Sequence, residues 1–334
     1  MEKTHYIATW FYKENAEEAS FYPQAGGRGD SSLLHSVYMQ IQVPFFTTFA
    51  HYNPHARLLF FTNMVKEQLP DYLQQLFMQL HVDVITLPYR HQPPKGWYKA
   101  WCNQFYLYDI FDYMQAKMNV TDTLLVCDAD CLCRQSLDTL WEQTEKQGSA
   151  LYELNQDPQA TINGITLQQM TALYQDCYGE APQTPIYYYG GEFIALRGDV
   201  VCRLNHEYDR LWQYNLKCFA ENKPKLNEEA LFLSVMAEHL NIRNSIANGY
   251  VKRMWTLPDF HNTTREDLKL AVWHLPYEKR RGIYRLFKLL TRQNAPIDKR
   301  VWQSAQKWCG IPSISLEKRI HDRIQTFIQN LSKR

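Results

Sequence analysis

The chain has 334 residues and 45% of them are apolar, which is enough for one large domain with a substantial core. Its 36 Lys and Arg nearly balance 35 Asp and Glu, and the net charge of +1 excludes a protein that binds nucleic acid through an overall basic field. The charge is divided unevenly, since residues 279–334 have a net charge of +11 and residues 1–278 have −10. This asymmetry predicts a partner with an anionic surface.

The first 275 residues alternate short apolar strands with helices. Strands are predicted at residues 6–9, 57–62, 82–87 and 123–127, with helices at 31–43, 64–80 and 98–117. The run LLFF inside the second of these strands is fully apolar, as expected for a strand covered on both faces. The alternation predicts a mostly parallel α/β sheet with right-handed crossovers.

The second half of the chain is more mixed. Further strands are predicted at residues 149–154, 187–196, 252–257 and 271–274, and further helices at 199–220 and 228–240. Beyond Pro276 the pattern is helical and basic. The sequence therefore predicts a body over residues 1–275 and a helical tail over residues 276–334.

The cysteines and the lack of long apolar runs indicate the cellular compartment of the protein. The eight cysteines are scattered and form no CxxC pair, which favours reduced thiols in a cytosol. The first ten residues lack the layout of a signal peptide, and no apolar run approaches the length of a transmembrane helix. We therefore expect a cytoplasmic protein.

The strongest local signal is an acidic pair, Asp128 and Asp130, directly after the buried strand at residues 123–127. In open α/β sheets, ligands bind beyond the carboxyl ends of the strands. Two carboxylates there are costly unless a cation compensates them, and their hard oxygen ligands suit Mn²⁺ or Mg²⁺. Such an ion would also hold a diphosphate. The alternative is a surface turn whose aspartates cap a helix near Ser136.

Haloacid-dehalogenase-like phosphatases also place an Asp-x-Asp pair at a strand end, with the first Asp as nucleophile. Their pattern continues with Thr or Val where this chain has Leu132, and it lies on the first strand rather than the fourth. Their later Gly-Asp-x-x-x-Asp element is absent, because Arg203 follows four residues after Asp199. A phosphatase remains an alternative interpretation.

Several further segments, in the same order and at similar spacing, resemble the GT-A glycosyltransferases over about 270 residues. The segments are residues 9–12, 36–37, 57–63, 99, 128–130, 187–195, 227–232 and 272–274. The resemblance is strongest to the retaining branch of glycogenin-like and lipopolysaccharide galactosyl- and glucosyltransferases. Residues 187–195 are also similar to blood-group type transferases. The resemblance implies a Rossmann-like mixed sheet flanked by helices, and the transfer of a hexose from a nucleotide-diphosphate donor, UDP-linked, with retention.

The resemblance also implies roles for individual residues. Metal ligands would be Asp128, Asp130 and His274, and donor contacts would be Thr9, Trp10, Tyr12, Lys99, Asp128, Ala129 and Asp130. Sugar and acceptor contacts would be Gly190, Gly191 and Glu192. Glu228 or Glu229 would stabilise charge at the anomeric carbon, or act as nucleophile or base.

Each of these residues also has a purely structural interpretation. Glu228 and Glu229 would be charges that favour a helix N-terminus. The Gly190-Gly191 pair would form a bulge. His274 would be an ordinary buried histidine, and the aromatics of residues 10–12 would belong to the core.

The tail contains two amphipathic basic segments, residues 282–292 and 316–331. The apolar stripe of the second consists of Leu316, Ile320, Ile324, Phe327, Ile328 and Leu331. Such helices bind anionic membrane surfaces or pack onto the body of the protein. Membrane attachment at the inner face would bring the enzyme to a glycan or glycolipid acceptor in surface polysaccharide or lipopolysaccharide assembly. A non-catalytic, membrane-associated scaffold with the same fold is the remaining alternative.

Overall fold

A computed structural model describes residues 3–22, 27–293 and 296–331, without the side chains of residues 292–293, 325 and 328–331. The strands in these ranges are β1 His5–Phe11, β2 Phe21–Tyr22, β3 Gly27–Arg28, β4 Arg57–Thr62, β5 Asp83–Thr86, β6 Thr123–Cys127, β7 Cys131–Cys133, β8 Ser149–Asn155, β9 Thr161–Ile162, β10 Ile165–Thr166, β11 Tyr188–Arg197, β12 Val251–Arg253 and β13 Val272–His274. The helices are α1 Ser32–Tyr52, α2 Asp71–Gln79, α3 Tyr106–Gln115, α4 Asp138–Gln147, α5 Leu167–Tyr178, α6 Gly198–Ala220, α7 Glu229–His239, α8 Gly282–Gln293, α9 Lys299–Cys309 and α10 Leu316–Leu331.

The main sheet has six strands in the order β5-β4-β1-β6-β11-β8. The first four strands are parallel, and β11 runs antiparallel to both of its neighbours. The predicted α/β fold, a mixed sheet flanked by helices, is therefore confirmed. The carboxyl ends of β1 and β6 lie side by side, which places the residues after them at one edge of the sheet.

A smaller sheet, in the order β12-β13-β7, continues from the end of β6. In this sheet His274 pairs with Cys131 on one side and with Arg253 on the other. The chain enters β7 directly from the acidic turn, so the small sheet holds His274 beside Asp128 and Asp130.

Apolar layers cover both faces of the main sheet. Along β1, Ile7 and Phe11 contact one layer and Tyr6 and Ala8 contact the other, as the alternation of side chains along a strand requires. Helices α1, α2, α4, α8 and α9 contribute to the first layer, and α3, α5, α6 and α7 contribute to the second. The strands are therefore buried on both sides, which explains their almost continuous apolar runs.

Three predicted helix boundaries were wrong. Helix α1 does not stop near residue 43 but continues through Pro44, because the residues beyond it, including Phe45 and Phe49, bury apolar side chains against the sheet. The helix predicted at 64–80 begins only after Pro70. The helix predicted at 98–117 begins at Tyr106, after a left-handed Trp101 and a short 3₁₀ turn.

The first two tail helices pack onto the body. Ile283 and Leu286 of α8, and Val301 and Ala305 of α9, are buried in the same core layer as the sheet. Helix α9 was not predicted, although Asp298 caps its start by accepting hydrogen bonds from the backbone N–H groups of residues 300 and 301. The division of the chain at residue 276 stays a prediction about independent folding.

Helix α10 differs from α8 and α9, because the side chains that it turns toward the body are charged. Lys318 and Asp322 are buried, and the Lys318 ammonium lies 2.8 Å from both Asp322 Oδ2 and Glu278 Oε1. Four of the apolar side chains face outward, with exposed fractions of 74% for Leu316, 53% for Ile320, 54% for Ile324 and 65% for Phe327. The side chains of Ile328 and Leu331, which complete the predicted stripe, lie outside the described part of the structure. Within the described ranges, no helix has the length and apolarity to cross a membrane.

Candidate active site

The acidic turn between β6 and β7 is fixed by backbone hydrogen bonds to two other parts of the fold and by one within the turn. The N–H of Asp128 donates to the carbonyl of Glu192 on β11, at 3.1 Å. The N–H of Leu275, just after β13, donates to the carbonyl of Asp130, also at 3.1 Å. The turn itself is closed by the bond from Cys131 N to Asp128 O, at 3.0 Å. The two carboxylates are therefore held on a rigid support.

His274 completes a group of three side chains suited to a divalent cation. Its Nε2 lies 3.4 Å from Asp130 Oδ1 and 3.6 Å from Asp128 Oδ2, and one ligand atom from each residue lies within 4.8 Å of the others. Asp130 Oδ1 is buried and has no hydrogen-bond partner among the described residues. Two carboxylates and an imidazole are a donor set that Mn²⁺ or Mg²⁺ accepts, so these residues fit such an ion.

A cation that sequence reasoning did not assign to the site is Lys279. The short turn Pro276–Glu278 brings its buried ammonium into contact with Asp130 Oδ2. Burial opposes charge on Asp130, but Lys279 and then His274 hold its pKa well below the usual range. In the sequence, Lys279 reads as the first residue of the basic tail. Only its spacing, five residues after His274, offered a signal.

The pKa values of the other two residues shift upward. Burial and the nearby charge of Asp130 raise the pKa of Asp128. Burial alone would lower the pKa of His274, but the charges of Asp130 and Glu192 raise it to about 9. At neutral pH without a metal, the histidine is therefore a second cation beside the Lys279 ammonium.

Glu192 points away from solvent, beneath the acidic turn. Its Oε1 and Oε2 accept hydrogen bonds from Arg253 Nε at 2.6 Å and Nη2 at 2.7 Å, and Oε1 lies 3.5 Å from His274 Nδ1. Burial opposes its charge, but the guanidinium of Arg253 holds the pKa of Glu192 well below its usual range. Its predicted contact with sugars stays a prediction.

Gly190 and Gly191 make room for two carboxylates. A Cβ at Gly190 would lie 2.0 Å from Oε2 of Glu192, and a Cβ at Gly191 would lie 2.3 Å from Oε1 of Glu229. The pairing of β11 with β8 shifts register at this point, as expected of a bulge. The two glycines thus allow acidic side chains to lie against the backbone, and their predicted contact with a ligand stays a prediction.

Glu228 and Glu229 occupy the start of α7, as predicted, but neither acts as a simple helix cap. Glu228 is the N-cap residue without a capping side-chain bond, and its Oε1 accepts a hydrogen bond from the Tyr188 hydroxyl at 2.9 Å. Glu229 Oε2 is buried and has no partner in the described part of the chain. Burial raises the pKa of both groups, and the charge of Glu228 raises that of Glu229 further.

A narrow cavity of about 70 Å³ opens at the acidic turn. Its lining brings together Thr9, Trp10, Tyr12, Asp128, Ala129 and Asp130, and adds Phe11, Tyr22, Tyr38, Trp101, Asn103, Gln104 and Lys279. The hydroxyl oxygen of Thr9 has no hydrogen-bond partner in residues 3–22, 27–293 and 296–331. Six of the predicted donor residues therefore share one cavity.

Lys99 lies outside this cavity, on a loop rather than on the predicted helix. It lines a larger neighbouring cavity of about 920 Å³, which shares Tyr12 and Asn103 with the narrow one. Trp101, which lines the narrow cavity, has a left-handed backbone with φ of +56°. This conformation is uncommon for a bulky residue, and nothing in the sequence indicated that Trp101 would line the site.

Solved structures similar to this chain include two enzymes. No protein-family model matches the sequence, and no curated protein does. The apo form of mouse xyloside xylosyltransferase 1 is 10% identical with a TM-score of 0.47, over 82% of this chain and 98% of that chain. The galactosyltransferase LgtC, in complex with donor and acceptor sugar analogs, is 11% identical with a TM-score of 0.49, over 89% of this chain and 99% of that one. Both are named as sugar transferases.

Proposed function

We propose that this chain is a GT-A type glycosyltransferase that moves a hexose from a UDP-linked donor to a glycan or glycolipid acceptor. The observation that carries the proposal is the set Asp128, Asp130 and His274, with Lys279 beside it. Asp128, Asp130 and Lys279 line the cavity that also contains the end of β1. The sequence resemblance supplies the donor class. A role in surface polysaccharide or lipopolysaccharide assembly, and retention at the anomeric carbon, follow from the same resemblance.

The carboxylates outnumber the permanent cations around the acidic turn, which favours a divalent ion. Three carboxylates, those of Asp128, Asp130 and Glu192, meet the ammonium of Lys279 and the guanidinium of Arg253. Mn²⁺ or Mg²⁺ held by Asp128, Asp130 and His274 would neutralise charge that develops on the diphosphate leaving group. Lys279 would add a second positive charge beside the same oxygens.

The remaining residues would position the donor. Thr9, Trp10 and Tyr12 would contact the base, and Lys99, in the neighbouring cavity, would reach the diphosphate from its outer side. Gly190 and Gly191 would border the sugar. Glu228 and Glu229 are the two candidates for stabilising positive charge at the anomeric carbon, because both are buried carboxylates beside β11.

The decisive test is calorimetry of UDP binding with Mn²⁺. Asp130→Asn removes one metal ligand and its charge, so metal-dependent UDP binding should be lost while the fold is kept. Asp322→Asn is a matched control, since Asp322 is a buried carboxylate paired to a lysine away from the cavity. It should bind UDP and Mn²⁺ like the wild type.

Equal affinity in Asp130→Asn and the wild type would contradict the metal assignment. If the metal assignment holds, a panel of nucleotide sugars tested with Mn²⁺ would identify the donor, through hydrolysis or through thermal stabilisation. Turnover of a simple phosphate ester, without any hydrolysis of nucleotide sugars, would support the phosphatase alternative instead.

We further propose that the protein attaches to the inner face of an anionic membrane through α10. The support is the outward-facing stripe of Leu316, Ile320, Ile324 and Phe327, with Arg319 and Arg323 exposed beside it. The corresponding stripe of α8 is packed into the core and is not available for this role. Attachment would place the cavity near lipid-linked acceptors.

A further inference from the structure

Behind His274, on the side away from the acidic pair, lies a buried ion pair of Glu192 and Arg253. The guanidinium donates two hydrogen bonds to the carboxylate, at 2.6 and 2.7 Å. The side chain of Glu192 is only 3% exposed. The imidazole is therefore placed between two acidic groups, with Nε2 toward Asp130 and Nδ1 toward Glu192.

Three strands converge to build this arrangement. Arg253 on β12 is the register partner of His274 on β13, so the two side chains start from adjacent positions. Glu192 lies on β11, and its carbonyl accepts the hydrogen bond from Asp128 N. The backbone N–H of Arg253 donates a hydrogen bond to the Tyr152 hydroxyl at 2.8 Å, which fixes the backbone of the arginine.

Gly190 makes the position of the carboxylate possible. A Cβ at residue 190 would lie 2.0 Å from Glu192 Oε2 and 2.8 Å from Leu154 Cδ1. Any larger residue would force the Glu192 side chain out of its place beneath His274. Strand β11 therefore leaves space for the carboxylate of Glu192, and its pairing with β8 is irregular at this point.

A buried ion pair adds little stability by itself, because the cost of removing two charges from water offsets their attraction. A role at the neighbouring imidazole accounts for it better. Histidines that bind a metal with one ring nitrogen commonly donate the other N–H to a carboxylate, which fixes the ring and makes it a better ligand.

We infer that Glu192 is a positioning residue for His274, and that Arg253 holds Glu192 in place. Glu192 orients the imidazole with Nδ1–H toward its own carboxylate, and leaves Nε2 for a divalent cation shared with Asp128 and Asp130. The inference rests on the proposed function, because it assumes that the three residues bind such a cation. It gives Glu192 a role at the metal ligand instead of a contact with the sugar.

The test uses Mn²⁺ alone as the probe, with the unbound ion measured by electron paramagnetic resonance. Glu192→Gln keeps the shape of the side chain but removes its charge, and should weaken Mn²⁺ binding by roughly 10- to 100-fold. Glu238→Gln is the matched control. Glu238 is 2% exposed and pairs with Arg243 at 2.5 Å, in an ion pair of the same kind that makes no contact with the three metal residues.

Measuring the effect of Glu192→Gln in the His274→Ala protein as well separates a positioning role from a general structural effect. If Glu192 acts through His274, then Glu192→Gln should change Mn²⁺ affinity by less than about 2-fold when it is added to His274→Ala, because coupled residues are not additive. An equal loss in both backgrounds, or no loss in either, would overturn the inference.

The outcome for the wild-type protein distinguishes this inference from the proposed function. If the wild type binds Mn²⁺ and Glu192→Gln binds it equally well, only the positioning role fails. If the wild-type protein does not bind Mn²⁺ at all, the cation site fails, and the positioning role fails with it.

Discussion

Asp130 illustrates how burial and charge compete at a single residue. Its side chain is almost fully buried, yet two cations on different elements, Lys279 and His274, keep its pKa low. A carboxylate that stays ionised inside the protein is a strong ligand for a metal cation. His274 must lose its proton before its Nε2 can bind the metal.

This competition predicts that Mn²⁺ affinity rises with pH. The pKa of His274 is raised from 6.5 to about 9, so its protonation stabilises the metal-free fold fully below pH 6.5, and this stability is lost as the pH rises through 9. Binding through Nε2 requires the unprotonated ring, so affinity should increase by up to about 10-fold per pH unit between pH 6.5 and 8.5.

The measurement is Mn²⁺ binding at several pH values, in buffers that do not bind the metal. His274→Ala is the control, since its affinity should depend on pH much less than that of the wild type. A flat profile for the wild type would contradict the protonated imidazole.

Helix α10 shows how an element can pack against its own pattern. Its amphipathic sequence is compatible with membrane binding or with packing on the body through apolar contacts, but the contacts with the body are ionic. Lys318 pairs with Glu278, and Asp322 lies 3.7 Å from Arg281. Two hydrogen bonds to Glu278, from the Thr256 hydroxyl and the Gly282 N–H, complete this buried network. The helix is held by charge, which leaves its apolar stripe to solvent.

We expect the exposed stripe to hold the protein on anionic vesicles at low salt. Replacing Ile320 and Ile324 by Gln should leave the protein in the supernatant, because the buried apolar area that binds the bilayer is lost. Added salt should weaken binding of the unaltered protein, because it screens the attraction of Arg319 and Arg323 to the lipid. The measurement is co-sedimentation at two salt concentrations.

The control for this experiment replaces exposed apolar residues elsewhere. Met78 and Val120 are 67% and 64% exposed, and their change to Gln should not affect sedimentation. Absence of any salt-sensitive binding by the full-length protein would remove the membrane proposal.

At the scale of the whole molecule, the tail and the body share one core. Ending the chain at residue 275 would remove the side chains of α8 and α9 that cover the α1 face of the sheet, and would take Lys279 away from Asp130. We therefore expect the shortened protein to be insoluble, or to lack cooperative thermal unfolding in circular dichroism. A soluble, cooperatively folded product would instead show that residues 1–275 are an independent domain.

The sequence predictions were accurate where a short segment determines the structure, and less accurate where distant parts of the chain do. Strands β4 and β6 were predicted to the residue because each is a short apolar run with polar ends. Helix α9 was missed because most of its residues are polar and its four buried positions become apparent only against the rest of the core. Helix α1 was predicted to end near residue 43, but it continues through Pro44 because burial of the following phenylalanines outweighs the local cost of the proline.

In the candidate site, too, some residues could be predicted from a short segment and others could not. The acidic pair could be predicted from a strand followed by two aspartates, and His274 from the resemblance. The contact of Lys279 with Asp130 joins residues 149 positions apart, and that of Arg253 with Glu192 joins residues 61 apart. Such contacts depend on strand order and on the turn after β13, which no short segment of sequence encodes.

The packing of α8 against α1 has a consequence for the biosynthesis of the protein. A ribosome releases the amino end first, so β1, α1 and β4 emerge long before the helices that cover them. Their apolar face cannot be fully covered until the segment through α9 has left the exit tunnel. This face of the sheet in the nascent chain therefore stays incomplete until α8 and α9 have been synthesised.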